Sequence, residues 1–159
     1  MTEQTVTLET AKLLKQIGFD WKVHMFYLSN GTKLYNTADT YHTDVSLDST
    51  DFLIDRNKKG WMVDKYGNEC FGCQDEKYFE SFSAPTQSLA QKFLRDKYDA
   101  HIYVEVFLED DVNCYASTVS ADFGEDWEEV VYFNTYEKAL ENALQESIEL
   151  IINNEKGNL

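Results

Sequence analysis

The sequence predicts an α+β domain, a mainly antiparallel sheet with helices packed on one face, and three observations carry that reading. Tyr136, Ala139, Leu140, Ala143, Leu144, Ile148 and Ile151 recur at the i, i+3, i+4, i+7 spacing that lines one side of a helix. Glu137, Lys138, Glu141, Asn142, Gln145, Glu146 and Glu149 fill the opposite side. His101 to Glu109 alternates with a period of two, placing Ile102, Val104, Val106 and Leu108 on one face of a strand and Tyr103, Glu105, Phe107 and Glu109 on the other. Near the start, Leu8, Ala11, Leu14 and Ile17 repeat with the helical period. A stripe of this kind must lie on something, and neighbouring strands are the nearest partners.

In order, Thr7 caps a helix over residues 8–17, and Gly18 stops it in the left-handed conformation that glycine tolerates, with Phe19 folding back. Trp21 to Leu28 alternates as a strand, and Asn30-Gly31 turns the chain so that Thr32 to Tyr35 returns beside it. This helix-hairpin part occupies residues 5–36 of a single domain over 1–159. Residues 37–82 read as a loop-rich middle with a short element at Phe52, Leu53 and Ile54 and a hairpin of Trp61–Val63 and Tyr66 around Asp64 to Gly67.

The C-terminal unit, residues 83–154, reads helix, three strands, helix. Pro85 sits where a helix starts, since its missing N–H has no partner in a first turn. Leu89, Ala90, Phe93 and Leu94 mark that helix's buried face, ending near Asp99. After the alternating strand, Glu109-Asp110-Asp111 makes a turn, Asn113 to Ser120 a second strand and Trp127 to Phe133 a third. Asn134 or Thr135 caps the final helix, with Glu137 in the first turn where the helix dipole favours negative charge.

The 159 residues carry 14 Lys and Arg against 29 Asp and Glu, a formal charge of −15. Such a surface repels phosphate backbones and anionic membranes, which argues against direct nucleic-acid binding. An aromatic content of 14% with a single proline marks a folded chain. The first residues lack a basic start and apolar run, and no stretch of about 18 apolar residues spans a bilayer, so a soluble cytoplasmic protein is expected. Three cysteines fit a reducing compartment and are expected as thiols.

The charge is not spread evenly. Between Tyr98 and Glu137 there is no Lys or Arg, while Asp99, Glu105, Glu109, Asp110, Asp111, Asp122, Glu125, Asp126, Glu128 and Glu129 fall inside the interval. A solvated face accounts for such a run most simply. The functional reading is an acidic docking surface for a basic protein partner, built from Glu105, Glu109, Asp110, Asp111, Glu125 and Asp126, with nucleic-acid mimicry as its sharpest form. Tyr103 and Phe107, joined by Tyr115, share the outer sheet face, where exposed rings beside charge have the composition of a binding hot spot.

Catalytic patterns are sparse. Cys70-Phe71-Gly72-Cys73 supplies half a zinc site, and His24, His42, His101 and Cys114 stand at no familiar ligand spacing from it. No βαβ pattern surrounds the pair, against a thioredoxin-like role. Asp110 and Asp111, like Glu128 and Glu129, are adjacent and point to opposite faces of a strand, so neither pair converges on one substrate. No nucleophile motif or phosphate loop appears, and no cofactor is expected.

Three stretches, Thr7 to Trp21 (TLETAKLLKQIGFDW), Ser83 to Tyr98 (SAPTQSLAQKFLRDKY) and Tyr132 to Ile151 (YFNTYEKALENALQESIELI), resemble short proteins of gut Bacteroidales, their phages and mobile elements. The resemblance implies a phage or mobile-element setting and brings no catalytic residue or cofactor. The C-terminal element order is also similar to that of a double-stranded-RNA-binding domain, whose last helix begins with phosphate-gripping lysines. Here those positions read Asn134, Thr135, Tyr136, Glu137 and Lys138, a single lysine beside a glutamate. The expectation is a non-enzymatic acidic protein-interaction module. A metal-binding protein or cryptic enzyme using Cys70 and Cys73 and an oligomerising scaffold are the alternatives.

Overall fold

The computed structural model describes residues 3–36, 54–64, 68–120 and 131–157. Among them are three helices and eight strands in two antiparallel sheets, an α+β architecture. The chain divides into two compact units, Thr7–Pro85 and Met1–Val6 with Thr86–Leu159. No described helix is long and apolar enough to cross a membrane.

In the first unit α1 runs Leu8–Gln16. The Thr7 hydroxyl accepts from the Thr10 amide, and Gly18 at φ 86 ends the helix as expected, with the Phe19 amide donating to the Leu14 carbonyl at 2.9 Å. Phe19 is 1% exposed, the folded-back residue of that stop. The first strand, β1, is shorter than the alternation suggested, Met25–Leu28, and Val23 makes only an isolated bridge to Ile54. Phe26, Tyr27 and Leu28 are all buried, so both faces of this strand are covered. Its return strand β2, Leu34–Asn36, sets Tyr35 opposite Phe26, with the two rings stacked at 5.5 Å. The connection, residues 29–33, is longer than the two-residue turn expected at Asn30-Gly31.

The region read as a loop-rich middle supplies most of the sheet instead. Strands β3 (Trp61–Asp64), β4 (Glu69–Phe71) and β5 (Tyr78–Ser83) join the first two in the order β2-β1-β5-β3-β4, so the centre of the sheet is β5. The Trp61–Val63 hairpin is present, with β4 as its partner. Residues 37–53, with the element expected at Phe52 and Leu53, lie outside the described residues. Strand β5 escapes a hydropathy reading because two of its buried positions are Ser81 and Ser83, both 0% exposed. The Ser81 hydroxyl donates to the Arg56 carbonyl at 2.7 Å, and the Arg56 amide donates to the Ser83 hydroxyl at 2.9 Å. Arg56 is itself 0% exposed. Its guanidinium lies 4.3 Å from the Phe26 ring centroid and pairs with the Glu69 carboxylate. On the other sheet face, α1 packs on β5 through Lys15, whose ammonium meets Glu80 at 2.7 Å and donates to the Ser81 carbonyl at 3.0 Å.

In the second unit α2 covers Gln87–Tyr98, capped by Thr86 rather than started by Pro85, which lies one residue outside the cap. A buried residue, Gln87, reaches α3 (Tyr136–Gly157) by donating to the Glu137 carbonyl and the Glu141 carboxylate. Burial, aided by the charge of Glu155 on α3, raises the pKa of the Tyr98 phenol above its ordinary value. Strand β6, His101–Glu109, matches the expected bounds, β7 is Val112–Ser120, and β8 is Tyr132–Phe133. The expected third strand from Trp127 overlaps residues 121–130, which lie outside the described residues. Thr135 caps α3 by accepting from the Lys138 amide at 3.2 Å, resolving the choice between Asn134 and Thr135. Ala139, Leu140, Ala143, Leu144, Ile148 and Ile151 are buried as the periodicity required, and α3 packs across β6 and β7.

Two substitutions test this packing. Leu144→Ala should lower unfolding stability in urea by about 2–5 kcal/mol, because the side chain is fully enclosed and its removal leaves a cavity. Glu69→Ala should cost about 3–5 kcal/mol by removing an ion-pair partner of the enclosed Arg56 guanidinium.

Candidate functional site

The candidate surface is the β6–β7 hairpin with β8 at its side. Glu109 pairs with Val112, so the turn consists of Asp110 and Asp111 alone, with φ values of 49° and 62°. Positive φ at both central residues gives the type I′ geometry that matches strand twist. This two-residue turn fixes the register from His101↔Ser120 to Glu109↔Val112 and thereby decides which side chains share a face.

On one face Tyr103, Glu105, Phe107 and Glu109 of β6 stand opposite Thr118, Ala116, Cys114 and Val112. Tyr132 of β8, paired with Ala116, joins them. Tyr103 is 55% exposed, Phe107 41% and Tyr132 53%. The Phe107 and Tyr132 rings meet edge to face with centroids 5.9 Å apart, which fixes both in place while leaving them open to solvent. Tyr115 does not belong to this group. Its register partners are Val106 and Phe133, which place it on the helix-covered face, where its ring meets Tyr136 of α3 at 6.4 Å. An expected turn of three residues had shifted its parity; the observed turn has two.

The helix-covered face is itself only half covered. Ile102 is 6% exposed, but Val106 is 59% and Leu108 78%, so the expected core-facing row of β6 is buried only near its base. Val112 adds a further exposed aliphatic at the tip. Apolar side chains thus reach solvent on both sides of the distal hairpin. Neither the exposure of Val106 and Leu108 nor the place of Tyr132 followed from alternation alone, since alternation gives the face but not how far the helix extends over it.

Glu105, Glu109, Asp110 and Asp111 are all exposed, and none forms an ion pair among the described residues. Glu125 and Asp126 lie outside the described residues. The unit formed by Met1–Val6 and Thr86–Leu159 holds 5 Lys and Arg against 17 Asp and Glu, a formal −12, whereas Thr7–Pro85 holds 9 against 12, a formal −3. The negative charge is therefore concentrated in the unit that bears the hairpin. Aromatic ring faces attract Lys and Arg side chains and carboxylates pair with them, and this face carries both kinds of group.

Cys70 and Cys73 are bonded to each other as a disulfide, contrary to the expectation of three thiols. Gly72 at φ 73 turns the chain back so that the two side chains meet, a conformation any other residue would strain to adopt. The bonded sulfurs are not thiolate ligands, and no cluster of metal-binding side chains occurs among the described residues. Cys114, half-buried on β7, is the free cysteine. A shallow groove in the first unit is lined by Lys15, Asn57, Lys59, Gly60, Trp61, Met62 and Glu80, but Lys15 is already engaged by Glu80 and Ser81.

Thiol titration of the unfolded, unreduced protein should find one reactive group per chain, rising to three after reduction. Three before reduction would remove the Cys70–Cys73 bond.

No known family model, curated protein or solved structure matches this chain.

Proposed function

We propose that this protein is a non-enzymatic, acidic protein-interaction module that captures a basic protein partner on the β6–β7–β8 surface, in the phage or mobile-element setting that its resemblance implies. The observation that carries this reading is the coincidence of Tyr103, Phe107 and Tyr132, all exposed on one sheet face, with the exposed carboxylates of Glu105 and Glu109 in the same row, which form no ion pair among the described residues. Rigid aromatic anchors with a charged rim are the composition of an energetic hot spot. The surrounding charge of −12 on that unit speeds encounter with a cationic partner and discourages nucleic acid.

The test is a pull-down from host lysate at low and high salt, comparing wild type with Glu105→Gln, Glu109→Gln, Asp110→Asn and Asp111→Asn combined. Asn is well accommodated at positive φ, so the turn persists in the variant. A partner that wild type retains at low salt, releases at high salt and that the variant fails to hold supports the module. A partner held equally by both proteins, or none under either condition, overturns it.

A further inference from the structure

We propose that the outer edge of β6 is the docking line, and that the partner adds to it as an extended antiparallel strand of alternating apolar and basic residues. This rests on the surface reading above and specifies its mode. The sheet order is β6-β7-β8, so β6 has a neighbour on one side only among the described residues. Hydrogen-bonded and non-bonded pairs alternate along an antiparallel ladder, and in a hairpin closed by a two-residue turn the pair next to the turn is hydrogen-bonded. That pair is Glu109↔Val112. Phe107, Glu105, Tyr103 and His101 are then bonded to β7, and the N–H and C=O groups of Ile102, Val104, Val106 and Leu108 point outward. One contact agrees independently: the Gln91 side-chain amide donates to the Ile102 carbonyl at 2.9 Å, closing the base of the edge. From Val104 to Leu108 no further hydrogen bond to these groups occurs among the described residues.

Chains protect such an edge with charged side chains, lysine above all, or with proline or a bulge. Here the charges beside it are Glu105 and Glu109, no lysine or proline falls within His101–Glu109, and its ladder is unbroken. The side chains beside the edge define what fits. A residue opposite half-buried Val104 or exposed Val106 or Leu108 stands on their face, against aliphatic surface, and so is apolar. The alternate residues stand beside Tyr103, Glu105, Phe107 and Glu109, where a lysine or arginine meets two carboxylates and two ring faces. A second copy of this chain fits the backbone equally well but would bring Glu105 and Glu109 of both edges together on units of −12 each. Charge therefore selects a basic strand over self-pairing.

The probe is a short capped peptide alternating valine and lysine, with titration by fluorescence anisotropy at low salt against the full chain. A peptide of the same composition in blocked order is the control. In an antiparallel addition the valine amides donate to β6 and the lysine amides point away, so N-methylation at valine should weaken binding about tenfold or more, and N-methylation at lysine far less. Val106→Pro removes an outward N–H that β7 does not use, so the hairpin is retained while peptide binding falls similarly; the N-methylated peptides decide the matter if that variant is unfolded by circular dichroism. Equal binding of both N-methylated peptides overturns strand addition. If Glu105→Gln with Glu109→Gln still abolishes that binding, the charge-directed surface survives without it. Selective loss with N-methylvaline but no effect of the two glutamine substitutions keeps the edge and discards the charge-directed reading. No binding of the alternating peptide overturns the proposal, as does a sedimenting dimer that Val106→Pro dissolves, which would assign the edge to a second copy.

Discussion

Where β8 pairs with β7 decides what this protein exposes. The two residues of β8 stand opposite Tyr115 and Ala116, halfway along the hairpin, and α3 begins three residues after Phe133. A helix launched from the middle of a hairpin and running toward its base buries Ile102 and leaves Val106 and Leu108 without a cover. Had β8 paired near Asn113, the same helix would have lain over the tip, and the distal aliphatics would belong to a core. The exposed surface is thus set by a pairing position, with α3 as amphipathic as any helix that covers its sheet completely.

The two units handle charge in opposite ways. In the first, Arg56 is wholly enclosed, and its backbone and side chain are tied to Ser81, Ser83, Glu69 and Phe26, so one cation links strands β1, β4 and β5. Removing such a charge from water is costly unless its partners are all present, which ties the sheet to a single arrangement. In the second, the carboxylates of Glu105, Glu109, Asp110 and Asp111 are exposed and form no ion pair among the described residues. The enclosed charge serves the fold; the solvated ones remain available to something outside it.

Much of the fold was legible in the sequence where hydropathy and secondary structure coincide. The final helix repeats its apolar residues from Tyr136 to Ile152, about five turns, and β6 alternates without interruption, so the helix was legible and β6 emerged with its observed bounds. Strand β5 did not, because Ser81 and Ser83 are buried by hydrogen bonds to Arg56 rather than by apolarity. Arg56 itself reads as surface in any pattern based on residue type. For the candidate site, Tyr103, Phe107, Glu105 and Glu109 were legible as one face, whereas Tyr115 was assigned wrongly and Tyr132 missed. Both errors trace to register, which one residue of turn length reverses. The distal exposure was illegible because it depends on a long-range pairing that no local pattern encodes.

The Asp110-Asp111 turn couples this surface to the kinetics of folding. Hairpin closure has to bring two carboxylates side by side in a backbone region that aspartate tolerates less readily than glycine, and their mutual repulsion opposes the step. Counter-ions screen that repulsion over roughly 8–10 Å at physiological ionic strength, easing closure of the hairpin on its microsecond timescale. The same ions weaken attraction for any cationic partner. Ionic strength therefore acts with opposite sign on the closure of the hairpin and on the attraction of its carboxylates for cations.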